Sequence, residues 1–178
     1  MGSAGPQPQG DSWPSRLQVL ADAAEVLLDE LDERYTVERR ESKEPLGSDA
    51  GAPLVRVVRL IPRSPAAGPL AVVFGDFPGI VLRLGRWYEE RLPSGDSGED
   101  PGALVADLRA RAGAHVEGGL WERVRRGVTG SCRETRLVGP DFSLGGSAPL
   151  DPAEARAARR EGFAAPVQWA PWPRRGPA

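Results

Sequence analysis

The chain has 178 residues, 40% of them hydrophobic and 27% charged, which suits one folded core and excludes a wholly disordered polypeptide. Its formal charge of −2 argues against a general nucleic-acid binder, and no run approaches the ~20 apolar residues of a membrane-spanning helix. The charge is uneven: residues 1–50 carry 5 Lys+Arg against 11 Asp+Glu, and the remainder 18 against 14, so long-range attraction to a polyanion could arise only in the later part.

The opening MGSAGPQPQGDSWP lacks the positive and apolar regions of a signal peptide and reads as a flexible lead-in over residues 1–12. Pro14 then suits the first turn of a helix. Leu17, Leu20, Ala24, Leu27, Leu28 and Leu31 form one apolar stripe, so a helix is expected over 14–34. Its other face is acidic, and carboxylates near a helix C-terminus oppose the dipole, so packing must hold that end. Tyr35 to Arg40 is a candidate strand, and 41–53 reads as a loop. Leu54 to Ile61 is β-branched and short, and reads as a strand. Leu70 to Phe74 is an apolar run expected at a sheet centre, and GDFPG at 75–79 is turn chemistry. Ile80, Leu82 and Leu84 then alternate with Val81, Arg83 and Gly85 in a strand expected to run on to Trp87 or Tyr88. These strands suggest an antiparallel meander.

Asp100-Pro101 has the form of a helix cap followed by a first-turn proline. Leu104, Val105, Leu108, Ala112 and Val116 extend a helix over 101–117, and Gly118-Gly119 stops it. Leu120 to Arg126 and Ser131 to Val138 read as strands, with a helix continuing through Trp121 as the rival for the first. Residues 140–149 read as loop. Asp151-Pro152-Ala153-Glu154 is a capping-box pattern opening a short helix closed by Gly162. The tail from Pro166 carries Trp169 and Trp172. Each tryptophan is worth on the order of 2–3 kcal/mol when buried, so the tail is expected to fold back on the domain.

The chemistry is sparse. The acidic stretch PSGDSGED at 93–100 lacks the regular oxygen spacing of a calcium loop and the sulfur or imidazole ligands of a zinc site; it reads as a turn and helix cap, and neither metal nor cofactor is expected. Cys132 is the sole cysteine and His115 the sole histidine. No motif makes them a nucleophile and base. His115 is expected as a solvated or helix-terminal cation, and Cys132 as a small buried hydrophobe in a strand. One cysteine forbids an internal disulfide and fits the cytoplasm. The carboxylates Asp76, Glu89 and Asp100 could line a cleft of a small enzyme. The strongest cluster is basic: Trp121, Arg123, Arg125, Arg133 and Arg136. Arg123 and Arg125 share a strand face with Trp121, and Arg133 has the opposite parity from Arg136. Such a face could take an acidic partner or stack single-stranded nucleic acid, although exposed arginines paired with Glu122 and Glu134 need no function.

The stretch GDFPGIVLRLGRWYEERLP resembles a segment of uncharacterised actinobacterial proteins of unknown function. In those proteins an apolar strand precedes a Cys-rich acidic loop of the type CGCDACDE. Here the matching place reads SGDSGEDP: acids and glycines are kept and the cysteines are absent. If the family loop holds metal, the resemblance implies that Ser94 to Asp100 cannot do so in the same way. It brings no activity with it.

The expectation is an α+β protein: a mostly antiparallel sheet of about five or six strands with two helices packed on one face. The single domain spans 13–165, and 166–178 is the tail. The function expected is a non-catalytic binding or structural module with a protein partner and no membrane role. A carboxylate enzyme and a single-strand binder are the alternatives, with nucleic acid disfavoured.

Overall fold

The first helix is followed by five strands that each pair with the next. The computed structural model describes residues 13–46, 51–75, 79–93, 100–127, 130–150, 152–160 and 166–176. Helix α1 is Trp13–Arg34, and the strands are β1 (Val37–Pro45), β2 (Leu54–Pro62), β3 (Leu70–Phe74), β4 (Ile80–Leu84) and β5 (Tyr88–Leu92). All neighbours are antiparallel. Helix α2 (Pro101–Val116) comes next, then β6 (Leu120–Gly127), β7 (Gly130–Val138), β8 (Ser143–Pro149), helix α3 (Pro152–Arg160) and β9 (Val167–Gln168). The late strands form a second sheet in the order β8-β7-β6-β9.

The α+β class and the antiparallel pairing stand, but the single sheet of five or six strands is two sheets of five and four. Three local differences accompany this, and β9 of the tail adds the fourth strand of the second sheet. Strand β4 does not run on to Trp87: Gly85 takes φ +62, the chain turns over 85–87, and Tyr88 starts β5 on its own account. The Ser/Gly-rich stretch expected as a loop at 140–149 contains β8, whose partners run from Val138↔Ser143 to Cys132↔Pro149. Strand β1 continues to Pro45 although its sequence is charged, because cross-strand pairs replace apolar alternation: Arg56 Nε lies 2.7 Å from Glu41, and Arg59 is held by Glu44. Charged side chains also suit β1 as an edge strand, where they discourage pairing with other chains. The helix rival through Trp121 gives way to β6.

The register sorts each sheet into faces, since side chains alternate along a strand. One face of the first sheet carries Val58, Leu60, Leu70, Val72, Ile80, Leu82, Leu84, Tyr88 and Leu92. These form one buried cluster with Leu20, Ala24, Leu27, Leu28 and Leu31 of α1 and Leu104, Leu108 and Ala112 of α2. The opposite face carries a smaller cluster, Val55, Val57, Ala71, Val73 and Val81. The acidic face of α1 is answered by arginines from three directions: Arg39 and Arg56 of the sheet meet Glu25, Arg109 of α2 meets Glu30 at 2.7 Å, and Arg175 of the tail meets Asp32 at 3.2 Å.

The tail lies against the domain. Trp169 and Trp172 are buried. Their backbone N–H groups donate to Leu120 O and Val116 O, Thr36 N donates to Pro173 O, and Arg175 N donates to Arg34 O. Residues 1–12, the Leu17 side chain, the centre of the 75–79 turn with Asp76, the stretch 94–99, the Asp151 cap and the Gly162 stop lie outside the described residues. Asp100, at the end of the acidic stretch, does cap α2: its carboxylate accepts from Ala103 N at 3.3 Å.

Candidate functional site

A buried carboxylate fixes the second sheet against the first. Glu122 of β6 is fully buried. It accepts hydrogen bonds from Arg86 N (3.1 Å), Trp87 N (2.8 Å) and the indole Nε1 of Trp169 (2.7 Å). The first two donors belong to the β4–β5 turn and the third to the tail, so one side chain ties together three parts of the chain. Burying a carboxylate costs several kcal/mol unless its oxygens are satisfied, and here N–H donors take the place of a cation. The close approach requires glycine at position 85, where a Cβ would lie 2.6 Å from Leu120 Cδ2 and 2.7 Å from Trp169 Nε1. Glu122 is therefore no partner for the arginines of the outer face.

On that outer face the pairing Trp121↔Arg136, Arg123↔Glu134 and Arg125↔Cys132 brings four of the five residues read from the sequence together. Trp121, Arg123, Arg125 and Arg136 share one side of the sheet, with Glu134 between Arg123 and Arg125. The Arg123 guanidinium lies 4.8 Å from the Trp121 ring centroid. Arg123 Nη2 is 2.5 Å and Arg125 Nη1 3.3 Å from Glu134; these bonds hold the Glu134 carboxyl below its ordinary range, Arg123 contributing most. Arg136 donates to Ser143 Oγ at 3.1 Å. Beside it a depression of about 520 Å³ is lined by Trp121, Arg136, Val138, Gly118 and Gln168. Cys132, expected as a buried hydrophobe, is only half-buried here.

Arg133 does not belong to this group. Its parity turns it to the inner side of the second sheet, where its guanidinium is 3.6 Å from Glu154 of α3. There it joins a second opening, a cleft of about 850 Å³ between the first sheet and the β7–β8 pair, lined also by Arg59, Arg83, Arg86, Trp87 and Gly146. Sequence reasoning missed those arginines. The available signal was an arginine inside an apolar strand, as in VRVVRL and IVLRL, where a charge on a sheet face needs a partner or an opening.

The three proposed carboxylates are not a described cluster. Asp76 lies outside the described residues, Glu89 is engaged by Arg83 at 2.7 Å, and Asp100 is the helix cap. Among the described residues no group of three or more His, Cys, Asp or Glu side chains could hold a metal ion, and no helix is long and apolar enough to cross a membrane.

His115 differs from its expectation as a solvated cation. It is fully buried, its Nε2 lies 3.0 Å from the carbonyls of both Gly68 and Pro69, and its ring meets Trp172 edge-on at 5.9 Å. Two carbonyls can only accept, so Nε2 carries the proton and the ring is neutral. Nδ1 has no partner. Burial pushes the imidazole down to about 4 against the pull of the two carbonyls. Cys132 sits on the outer face of the second sheet, far in the topology from this core position.

Residues 10–176 match a family of unknown function, DUF6226. The chain belongs to the DUF6226 family. The match takes in both sheets and the tail through Trp172, and agrees with the resemblance to an uncharacterised family. No curated protein and no solved structure matches. For this DUF6226 protein the functional reading therefore rests on the two arginine-lined surfaces.

Proposed function

We propose that this DUF6226 protein is a non-catalytic binding module that engages an acidic, partly apolar protein segment through Trp121, Arg123, Arg125 and Arg136. One observation carries the reading: three arginines stand around a half-exposed tryptophan on one sheet face, with only Glu134 as an acid among the described residues of that face. Arginine and tryptophan are the residues most often found to dominate binding energy at protein interfaces. The depression beside Arg136, with Val138 45% exposed at its rim, gives apolar side chains of the partner a place to sit. In the same reading both long helices cover one face of the first sheet, which the shared apolar cluster supports, and leave the second sheet's outer face to the partner. A reducing, cytoplasmic setting suits the lone Cys132.

Fluorescence anisotropy with a labelled peptide of alternating Glu and Leu tests this. The intact protein should bind at low ionic strength, and Arg125→Glu with Arg136→Glu should weaken binding at least tenfold while thermal unfolding is unchanged. Failure of any acidic peptide to bind would count against the proposal. Salt-dependent binding of a single-stranded oligonucleotide instead, lost in the same variant, would transfer the face to the nucleic-acid reading, which the arginine–tryptophan stack also favours.

A further inference from the structure

The cleft between the two sheets has a different chemistry from the outer face. Four arginines reach it from four places: Arg59 of β2, Arg83 of β4, Arg86 of the β4–β5 turn and Arg133 of β7. Three are each positioned by a carboxylate. Glu44 holds Arg59 and is itself pulled down to about 2 by that guanidinium and by Ser42; Glu89 holds Arg83 and Glu154 holds Arg133. A guanidinium has five N–H donors and one carboxylate engages at most two or three of them, so each arginine keeps donors in reserve. Arg86 has no carboxylate partner among the described residues. Its guanidinium lies 5.6 Å from the centroid of the Trp169 ring, and its own backbone N–H is fixed by Glu122. Among the described residues the acids lining the cleft are Glu89 and Glu90, and both are engaged: Glu90 forms an ion pair with Arg111 from the core side. The uncompensated charge of the cleft is therefore positive and centred on Arg86.

The floor and roof leave space beside that charge. Gly146 stands opposite Thr135, on the same side of the sheet as Arg133. A Cβ at Gly146 would meet nothing nearer than Thr135 Oγ1 at 3.7 Å. Packing thus does not require glycine there; the missing side chain simply keeps the cleft open. About 850 Å³ falls within the ~300–1,000 Å³ of small-molecule sites and is too small for a duplex or a folded partner. Arginine forks arriving from several directions suit the oxygens of a phosphoryl group, which accepts bidentate hydrogen bonds.

We infer that the cleft between the sheets is a binding site for a small phosphorylated organic molecule of nucleotide size, with Arg86 as its principal charge contact and Arg59, Arg83 and Arg133 as supporting donors. The site is separate from the outer Arg/Trp face and stands or falls independently of it.

Isothermal titration of the full chain with pyrophosphate and with ATP tests the inference, with citrate and a single-stranded oligonucleotide as comparison ligands. Either phosphate compound should bind with a dissociation constant below about 1 mM, an affinity of about 4 kcal/mol or more. Arg86→Gln and Gly146→Leu should each weaken it at least tenfold, while Arg123→Gln leaves it unchanged. Arg86 is an exposed turn residue whose backbone, not its side chain, is held by Glu122, so Arg86→Gln keeps the test valid even if Gly146→Leu fails to fold. No binding of either phosphate compound at 5 mM, roughly five times that limit, overturns the inference. So does binding that is insensitive to both cleft substitutions, or tighter binding of citrate or the oligonucleotide than of ATP.

Discussion

Lowering the pH from 7 to 5 should destabilise this fold, and His115 should account for most of the loss. The ring is fully buried and neutral, with Nε2 donating to Gly68 and Pro69 and Nδ1 unpartnered among the described residues. A second proton would place a cation against the Trp172 ring with no acceptor at Nδ1. The unfolded chain takes up that proton near pH 6.5, whereas the folded ring does so only near 4. Because the folded value is depressed, His115 leaves stability undiminished above pH 6.5 and erodes it as the pH falls towards 4. Linkage gives a loss of about 2 kcal/mol at pH 5 and about 3 kcal/mol at pH 4. The chain has one histidine, and unperturbed side-chain carboxyls titrate below ~4.5, so the interval from 6.5 to 5 belongs mainly to this ring. Urea unfolding followed by tryptophan fluorescence at pH 7 and pH 5 measures the change. His115→Gln should lower stability at pH 7 but remove most of the difference between the two pH values. A wild-type loss under about 0.5 kcal/mol, or an equal loss in His115→Gln, refutes the argument from burial.

Three further substitutions probe the joints of the fold. Glu122→Ala strands the N–H groups of Arg86, Trp87 and the Trp169 indole, and should cost on the order of 3 kcal/mol, with a red shift of tryptophan emission as the tail loosens. Gly85→Ala forces a side chain into a backbone at φ +62 and against Leu120 and Trp169; a lowered thermal midpoint corresponding to about 2 kcal/mol is expected, while Gly146→Ala, with open space at its Cβ, should stay within about 0.5 kcal/mol of wild type. Arg111→Met breaks the ion pair between Arg111 and Glu90, whose side chains are 10% and 25% exposed, and leaves the Glu90 carboxylate with the Tyr88 hydroxyl as its remaining donor among the described residues; about 3 kcal/mol should be lost by thermal unfolding, and Glu90→Gln in the same chain should restore part of it.

The helices and the apolar strands were legible because burial writes a period into the sequence. Leu20 to Leu31 marks α1, and Leu70 to Phe74 marks the buried β3. The 41–45 half of β1, beyond the strand expected to Arg40, and all of β8 carried no such mark. Strand β1 is held by arginine–glutamate pairs to β2, and β8 by backbone pairing of a Ser/Gly-rich segment to β7; neither mechanism leaves an apolar rhythm. The boundary between β4 and β5 was hidden because Gly85 continues the alternation while its backbone turns. The outer Arg/Trp face could be foreseen from parity alone, since Trp121, Arg123 and Arg125 are two apart. Placing Arg136 opposite Trp121 needed the register, and the arginine cleft needed the packing of one sheet over another. The burial of His115 was invisible because its partners, Gly68 and Pro69, are backbone carbonyls some 46 positions away.

The tail's position has a consequence for how the molecule is made. Residues 169–175 stitch the α1–β1 junction, the β2–β3 turn, the end of α2 and β6, yet they leave the ribosome after every segment they fasten. Until synthesis passes Arg175 the nascent chain lacks these fastenings, and its two sheets are joined through the Glu122 bonds to Arg86 N and Trp87 N. Closure then comes as a late step, after all the segments it fastens have been made, and a pause in translation before Trp169 would leave the half-built protein open to the cell's chaperones.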